Sequence, residues 1–482
     1  MKRSFLFLLV IICCSLLNAE SISFSGFDKF SFINRDIGED YKQYFGNELQ
    51  LQTGYKAFRF GVKYDIFIPK FDRFLGVEQL DLEEDVYEFN EYFVQYESDH
   101  LTSTLGIYEA FIGSGMPLHV HYDPDFDEDS RLLGAYDELI FDRWQAQFIL
   151  GLLENKADED EFDRVGAVDF SFDINDIFNI GAAYVKQMTN IIEQDDFNDR
   201  NVFSGRLNIT TDLFEISSEG AMSKETDVVN DEDTDGHALY SNFNVYADKY
   251  TFTGAYKNYL NFNNRISDLP TANYSSEPLS DSWLPGYDEQ GVMGEISYIP
   301  NYETEVILNY GEGWSSNKEI QQADFYSEFK HEFPGFTFKA EYSHLEQMHD
   351  TEFITSWKQE LTPSISFDFS IAEFPMLVKA EYQKKTKDEI SGESFHYEPK
   401  LQMDISYKDY SFSVTTEHEY EDSEDLLKEN FWIGAELALM LFHNTDVRFF
   451  VGSEKGGKVC RNGVCRYQSE FEGMRLEITT TF

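Results

Sequence analysis

His119 and His121 stand two apart in Leu118-His119-Val120-His121, so an extended backbone puts both imidazoles on one face. Asp123, Asp125, Asp127, Glu128 and Asp129 follow directly. Two imidazoles beside carboxylates are a donor set for a transition metal, but no third ligand is fixed by the spacing. An acidic loop that carries two histidines is the stronger reading. Asp231-Glu232-Asp233-Thr234-Asp235-Gly236 opens like a calcium loop, with acidic side chains at alternate positions and a glycine for the turn. The match then stops, because Asn242 stands where the bidentate Glu belongs. Asp231, Asp233 and Asp235 are left as an incomplete set for Ca²⁺ or Mg²⁺, with a solvated loop as the competing reading. Ser114 lies between Gly113 and Gly115. It lacks a Gly-x-Ser-x-Gly elbow and a visible base, so tight loop geometry outweighs nucleophilic catalysis.

The elements that carry these residues follow from a period of two. In Phe58-Arg59-Phe60-Gly61-Val62-Lys63-Tyr64-Asp65-Ile66 even positions are apolar and odd ones are polar or glycine. The alternation returns at Phe336 to Tyr342 and at Leu401 to Tyr407. A soluble sandwich alternates too, yet mean hydropathy is −0.44 although 42% of residues are hydrophobic, which leaves too little apolar surface for a second packed layer. Short connections such as Tyr55-Lys56, Asp142-Arg143, Asp248-Lys249, Pro334-Gly335 and Lys408-Asp409 alternate with longer acidic ones, among them Asp36 to Gln43, Glu154 to Asp163 and Lys224 to Asp235. That is the rhythm of a membrane barrel with short periplasmic turns and longer external loops.

Both ends of the chain agree. Lys2 and Arg3 precede an apolar run from Phe5 to Leu17, and Ala19 supplies a small residue for cleavage, so residues 1–19 read as a secretory signal peptide and 20–482 as the barrel. At the other end Met474, Leu476, Ile478 and Thr480 share one parity before the terminal Phe482, while Arg475, Glu477, Thr479 and Thr481 share the other. This segment resembles the terminal β-signal of Gram-negative outer-membrane barrels, with Phe482, Ile478 and Leu476 as the assembly signal offered to the barrel-assembly machinery. In an exported chain Asn462-Gly463 is a preferred hairpin centre, which brings Cys460 and Cys465 within reach of a disulfide.

The expected fold is all-β: a single transmembrane antiparallel β-barrel of about 24 strands, in a range of about 20 to 26. The parity closes only if Glu352 to Ile371 is one long strand with Pro363 at a bulge. The run Leu105-Gly106-Ile107-Tyr108-Glu109-Ala110-Phe111-Ile112-Gly113-Ser114-Gly115-Met116-Pro117, followed by Arg131-Leu132-Leu133-Gly134, is similar to the most distinctive stretch of a family of large outer-membrane barrels without an assigned activity. The hairpin from Gly456 to Tyr467 resembles that family as well. The resemblance implies a barrel and brings no catalytic residues.

A lumen this wide predicts a constriction. The candidates are the loops Met116 to Ser130 and Leu260 to Tyr287, represented by Gly113, Ser114, Gly115, His119, His121 and Trp283. The formal charge of −51 excludes nucleic acid as an electrostatic partner and favours cations over anions. The leading expectation is a porin-like channel for small solutes in the outer membrane of a Gram-negative bacterium, in contact with lipid and lipopolysaccharide. The alternative is a non-transporting surface-binding or structural barrel whose acidic loops hold divalent cations. No catalytic residue and no cofactor is expected, beyond Ca²⁺ or Mg²⁺ at the acidic loops; a membrane-embedded hydrolase ranks last.

Overall fold

The structure is a computed structural model that describes the chain except residues 1–21, 38–39, 72–84, 124–127, 156–157, 192–195, 229–231, 276–278, 280–284, 350–353, 390–391, 423–426 and 462–463. Residues 1–19, expected as a signal peptide, therefore lie outside the described residues. Twenty-four strands form one antiparallel sheet, each paired with its neighbours along the chain. The sheet closes when Ile22–Ile37 pairs with Phe471–Thr481, in a register that runs from Phe27 opposite Thr481 to Arg35 opposite Gly473. Closure leaves no strand edge unpaired, which is the condition for placing a sheet in hydrocarbon.

Side-chain parity decides what faces out. Along Trp144–Asn155 the residues Phe148, Leu150 and Leu152 are exposed on the outer surface, whereas Ile149 and Leu153 are buried inside. Aromatics follow the same rule: Phe170, Phe203, Phe243, Phe412 and Phe431 are exposed, as a lipid face requires.

Ile354–Ile371 is one strand of 18 residues, as the parity demanded, but Pro363 makes no bulge. Leu361 opposite Lys384 and Ser364 opposite Glu381 keep one register, and only the ladder positions between them are missing. Proline here removes a donor without shifting the chain. Pro399 does the same between the pairs Tyr397–Tyr420 and Lys400–Glu417.

Several stretches expected as acidic loops are strand. Asp158–Asp173 and Glu232–Ala247 have 16 residues each. At about 3.3 Å per residue such a strand spans about 50 Å, about twice the apolar band of a barrel. Backbone pairing does not depend on side-chain polarity, so the ladder continues past the greasy belt into acidic sequence. The turns also include two that the sequence reading had not picked out, one around Asp99 and one at Ala372-Glu373.

Candidate constriction of the lumen

Between Leu101–Tyr108 and Leu132–Phe141 the chain leaves the wall and folds inward. Ala110–Ile112 pairs with Leu118–Val120 in a small hairpin of its own, and Ile112, Met116, Leu118 and Val120 are fully buried. They pack on Ile149, Val165, Ala167, Val185, Val202, Ala221 and Ala238, which are inward positions of successive wall strands. The lumen thus holds an apolar second layer along one side. The sequence did carry a signal for it, because Val165-Gly166-Ala167-Val168 and Phe148 to Leu153 are apolar on both parities. Small residues on the inward parity leave room for a layer to pack against them.

The second expected constriction, residues 261–287, docks on the first. His119 donates its N–H to Ile266 O at 2.7 Å, and the Asp268 N–H reaches Gly115 O at 3.1 Å. Phe262 and Ile266 join the buried cluster. Arg200, only 5% exposed, lies 5.1 Å from the centre of the Phe262 ring and donates to Phe262 O at 3.2 Å. Arg265 ties the loops together by donating to Glu154 O and, at 3.0 Å, to Asp129 O. Burial pulls its guanidinium below the ordinary value, against the opposing pull of Asp163, Glu154, Asp129 and Glu128. Farther along, Tyr259 Oη donates to Pro270 O at 2.8 Å, Tyr274 stacks on Tyr326 at 3.7 Å, and Asp324 accepts the Ser275 N–H at 2.9 Å. Loop 261–287 therefore reaches from its own wall strand to Ile320–Phe333.

Gly113 and Gly115 have φ of 62° and 91°, a region that favours glycine. Ser114 Oγ is buried and has no hydrogen-bond partner among the described residues, while the Ser114 N–H is held by Glu219 at 2.7 Å. The serine is thus engaged through its backbone. His119 and His121 come together as expected, with rings stacked at 4.1 Å, and Phe111 meets His119 edge-on. His119 Nδ1 lies 3.0 Å from Oδ2 of Asp268, a carboxylate from the second loop. Asp129 binds Arg131. Burial opposes the Arg131 charge, but the hydrogen bond and charge of Asp129, with Glu91 and Glu109, hold it above its ordinary value. Trp283 and Asp231 lie outside the described residues. Asp233 and Asp235 share one face of a strand, and Asp233 is bound by Lys224 at 2.7 Å and by Thr226 at 2.8 Å.

The opposite wall is lined with charge. Lys339 lies 3.0 Å from Glu341 and 3.2 Å from Glu328, Lys358 is 3.2 Å from Glu360, and Lys379 is 2.8 Å from Glu381. The ribbon continues through Lys400–Glu417 at 3.3 Å to Arg475–Glu454 at 2.7 Å. A second group holds Lys63 between Glu48 at 2.7 Å and Asp65 at 3.3 Å. Lysine and glutamate two apart on a strand share a face, so the sequence pattern Lys-x-Glu was a readable sign of this ribbon. Near the last strand the register sets Cys460 opposite Cys465 in the hairpin of Gly457–Arg461 and Val464–Gln468, although their side chains lie outside the described residues.

Phe482 seals the seam. Its ring stacks on Phe24 at 5.6 Å, and its backbone exchanges two hydrogen bonds with Gly26, at 2.9 and 3.1 Å. Ile478 and Leu476 lie opposite Phe30 and Phe32.

In fold the chain is similar to the siderophore receptor PirA from Pseudomonas aeruginosa, with a TM-score of 0.51 at 9% identity over 96% of this chain and 81% of that one. It is similar to the P pilus usher (PapC) translocation pore, with a TM-score of 0.50 at 7% identity over 95% and 99% of the two chains. A chain of the E. coli P pilus tip assembly intermediate PapC-PapD-PapK-PapG gives a TM-score of 0.58 at 8% identity, over 95% of this chain and 60% of that one. At such identities the likeness shows the fold, that of the large outer-membrane barrels. No curated protein matches. A family match covers residues 1–360, and the chain belongs to that family, described as "Family of unknown function (DUF6029)".

Proposed function

We propose that this barrel is a porin-like channel of a Gram-negative outer membrane, passing small solutes past a constriction built from its own loops and favouring cations. One observation carries the reading: the lumen is two-sided. Its constricting loops are packed by apolar contact on the strands between Trp144 and Leu260, while the facing wall presents ionised side chains. Apolar residues in a lumen exclude water, and charged ones retain it. A solute path along the charged wall follows. Cation preference is supported by the excess of carboxylates, with 89 Asp and Glu against 38 Lys and Arg.

The same reading takes residues 1–19 as a cleaved signal peptide, Phe482 as the mark read by the assembly machinery, and Cys460 with Cys465 as a disulfide that stiffens the hairpin beyond the rim. Lipid and lipopolysaccharide surround the exposed aromatic face. The decisive experiment is a reversal-potential measurement on the purified barrel in a planar bilayer under a salt gradient. A potential of the cation-selective sign is expected. Anion preference, or a bilayer that stays silent, overturns the proposal.

A further inference from the structure

High on the charged wall, away from the constricting loops, His396 lies opposite Glu421 on the neighbouring strand. His396 is 6% exposed and Glu419 9%. Nδ1 of the ring is 3.5 Å from Glu419 Oε1, and Nε2 is 3.5 Å from Glu421 Oε1. One nitrogen and one oxygen from each carboxylate all lie within 4.8 Å of one another.

We propose that His396, Glu419 and Glu421 bind a divalent first-row transition metal ion on the inner wall near the long-loop rim.

Separations of 3.5 Å exceed the roughly 2.8 Å of a charge-assisted hydrogen bond. Each is made to a different ring nitrogen, so the ion takes one of the two, and that single N–O separation comes close to the roughly 3.3 Å between two ligands of a tetrahedral ion with bonds of about 2.0 to 2.1 Å. Rotation of two glutamate side chains closes the remainder. Ser394 Oγ, 3.3 Å from Nε2, is a hydrogen-bond partner for that nitrogen when the ion takes Nδ1. The surrounding charge is already balanced, because Lys455 lies 2.8 Å from Glu398 and 3.3 Å from Glu419, and Lys385 is 3.1 Å from Glu398. Glu421 has His396 as its only ion-pair partner among the described residues. An imidazole with two carboxylates selects for zinc-like ions over Ca²⁺ and Mg²⁺, whose sites are built from oxygen alone.

The test is a Zn²⁺ titration of the full barrel in detergent against a chromogenic chelator, with millimolar Ca²⁺ present to saturate generic acidic sites. A single tight Zn²⁺ is expected, with affinity lower by about tenfold or more in His396→Asn and in Glu421→Gln and unchanged in Asp233→Asn. Heat-modifiable gel migration verifies that each variant is a closed barrel. Glu421→Gln is isosteric, and the zinc X-ray absorption spectrum of the unsubstituted barrel supplies a readout independent of any variant, in which scattering from one imidazole is expected. Zn²⁺ displaced by Ca²⁺, wild-type affinity in the folded variants, or a spectrum with oxygen ligands only overturns the proposal.

Discussion

Gly113 rests on Glu219 with no room between them: a methyl group on Gly113 would lie 2.4 Å from both carboxylate oxygens. The missing side chain is what lets the Glu219 carboxylate reach the Ser114 N–H at 2.7 Å. The carboxylate is itself buried, opposite Arg206 on the neighbouring strand, and its other oxygen has no hydrogen-bond partner among the described residues. An acceptor so placed holds its one donor firmly, since losing the contact leaves both groups buried and unpaired.

Gly113→Val should lift the first constricting loop from the wall. The steric overlap adds to the cost of a β-branched residue at φ 62°, about 1 kcal/mol or more, and falls on the loop rather than on the ladder. Larger single-channel conductance, with unchanged heat-modifiable migration, is the expected result.

Arg265→Ala removes the donors that join the second loop to the first at Asp129 O and to the wall strand at Glu154 O. Each hydrogen bond from a charged group contributes about 1.5 to 3 kcal/mol. Limited proteolysis should then cut within residues 261–287 in the variant under conditions that leave the parent intact.

Charge on the facing wall should set selectivity. Exchanging Glu360 and Glu381 together for Gln removes the carboxylate charges that lie beside Lys358 and Lys379 on the inner face. The reversal potential should move toward the anion side. The constricting loops should stay seated, as judged by the same proteolysis.

Phe482→Ala removes a ring stack worth about 0.5 to 1.5 kcal/mol at the point where the cylinder closes. Less folded barrel should accumulate in the membrane, while the molecules that do fold conduct normally.

Non-reducing mass measurement should find the chain lighter by two hydrogens than its reduced form, and Cys460→Ser should abolish the difference. The directly opposed register of the two cysteines motivates the expectation.

The cylinder was legible because lipid imposes a strict period of two, which Phe58 to Ile66 or Met474 to Phe482 display without help from context. The length of the strands was not, since an acidic strand such as the outer end of Asp158–Asp173 looks like a loop once no face needs to be apolar. The two long segments that fold inward, Met116 to Ser130 and Leu260 to Tyr287, were legible from length and position. Their mode of seating was not: the partners of Gly113 and His119 are Glu219 and Asp268, more than a hundred positions away, and nothing local announces them. Asp233, one of an incomplete set for Ca²⁺ or Mg²⁺ in the sequence, faces Lys224 because the hairpin register brings the pair together.

Both inward-folded loops, and the wall strands beneath the apolar cluster that runs from Tyr108 to Leu269, come from the portion of chain before residue 290. Thr304–Trp314 and Ile320–Phe333, touched by the far end of the second loop, come later. The interior furnishing can therefore be put in place on an open, half-wound sheet, long before the first and last segments meet. Assembly need not pass through an empty tube.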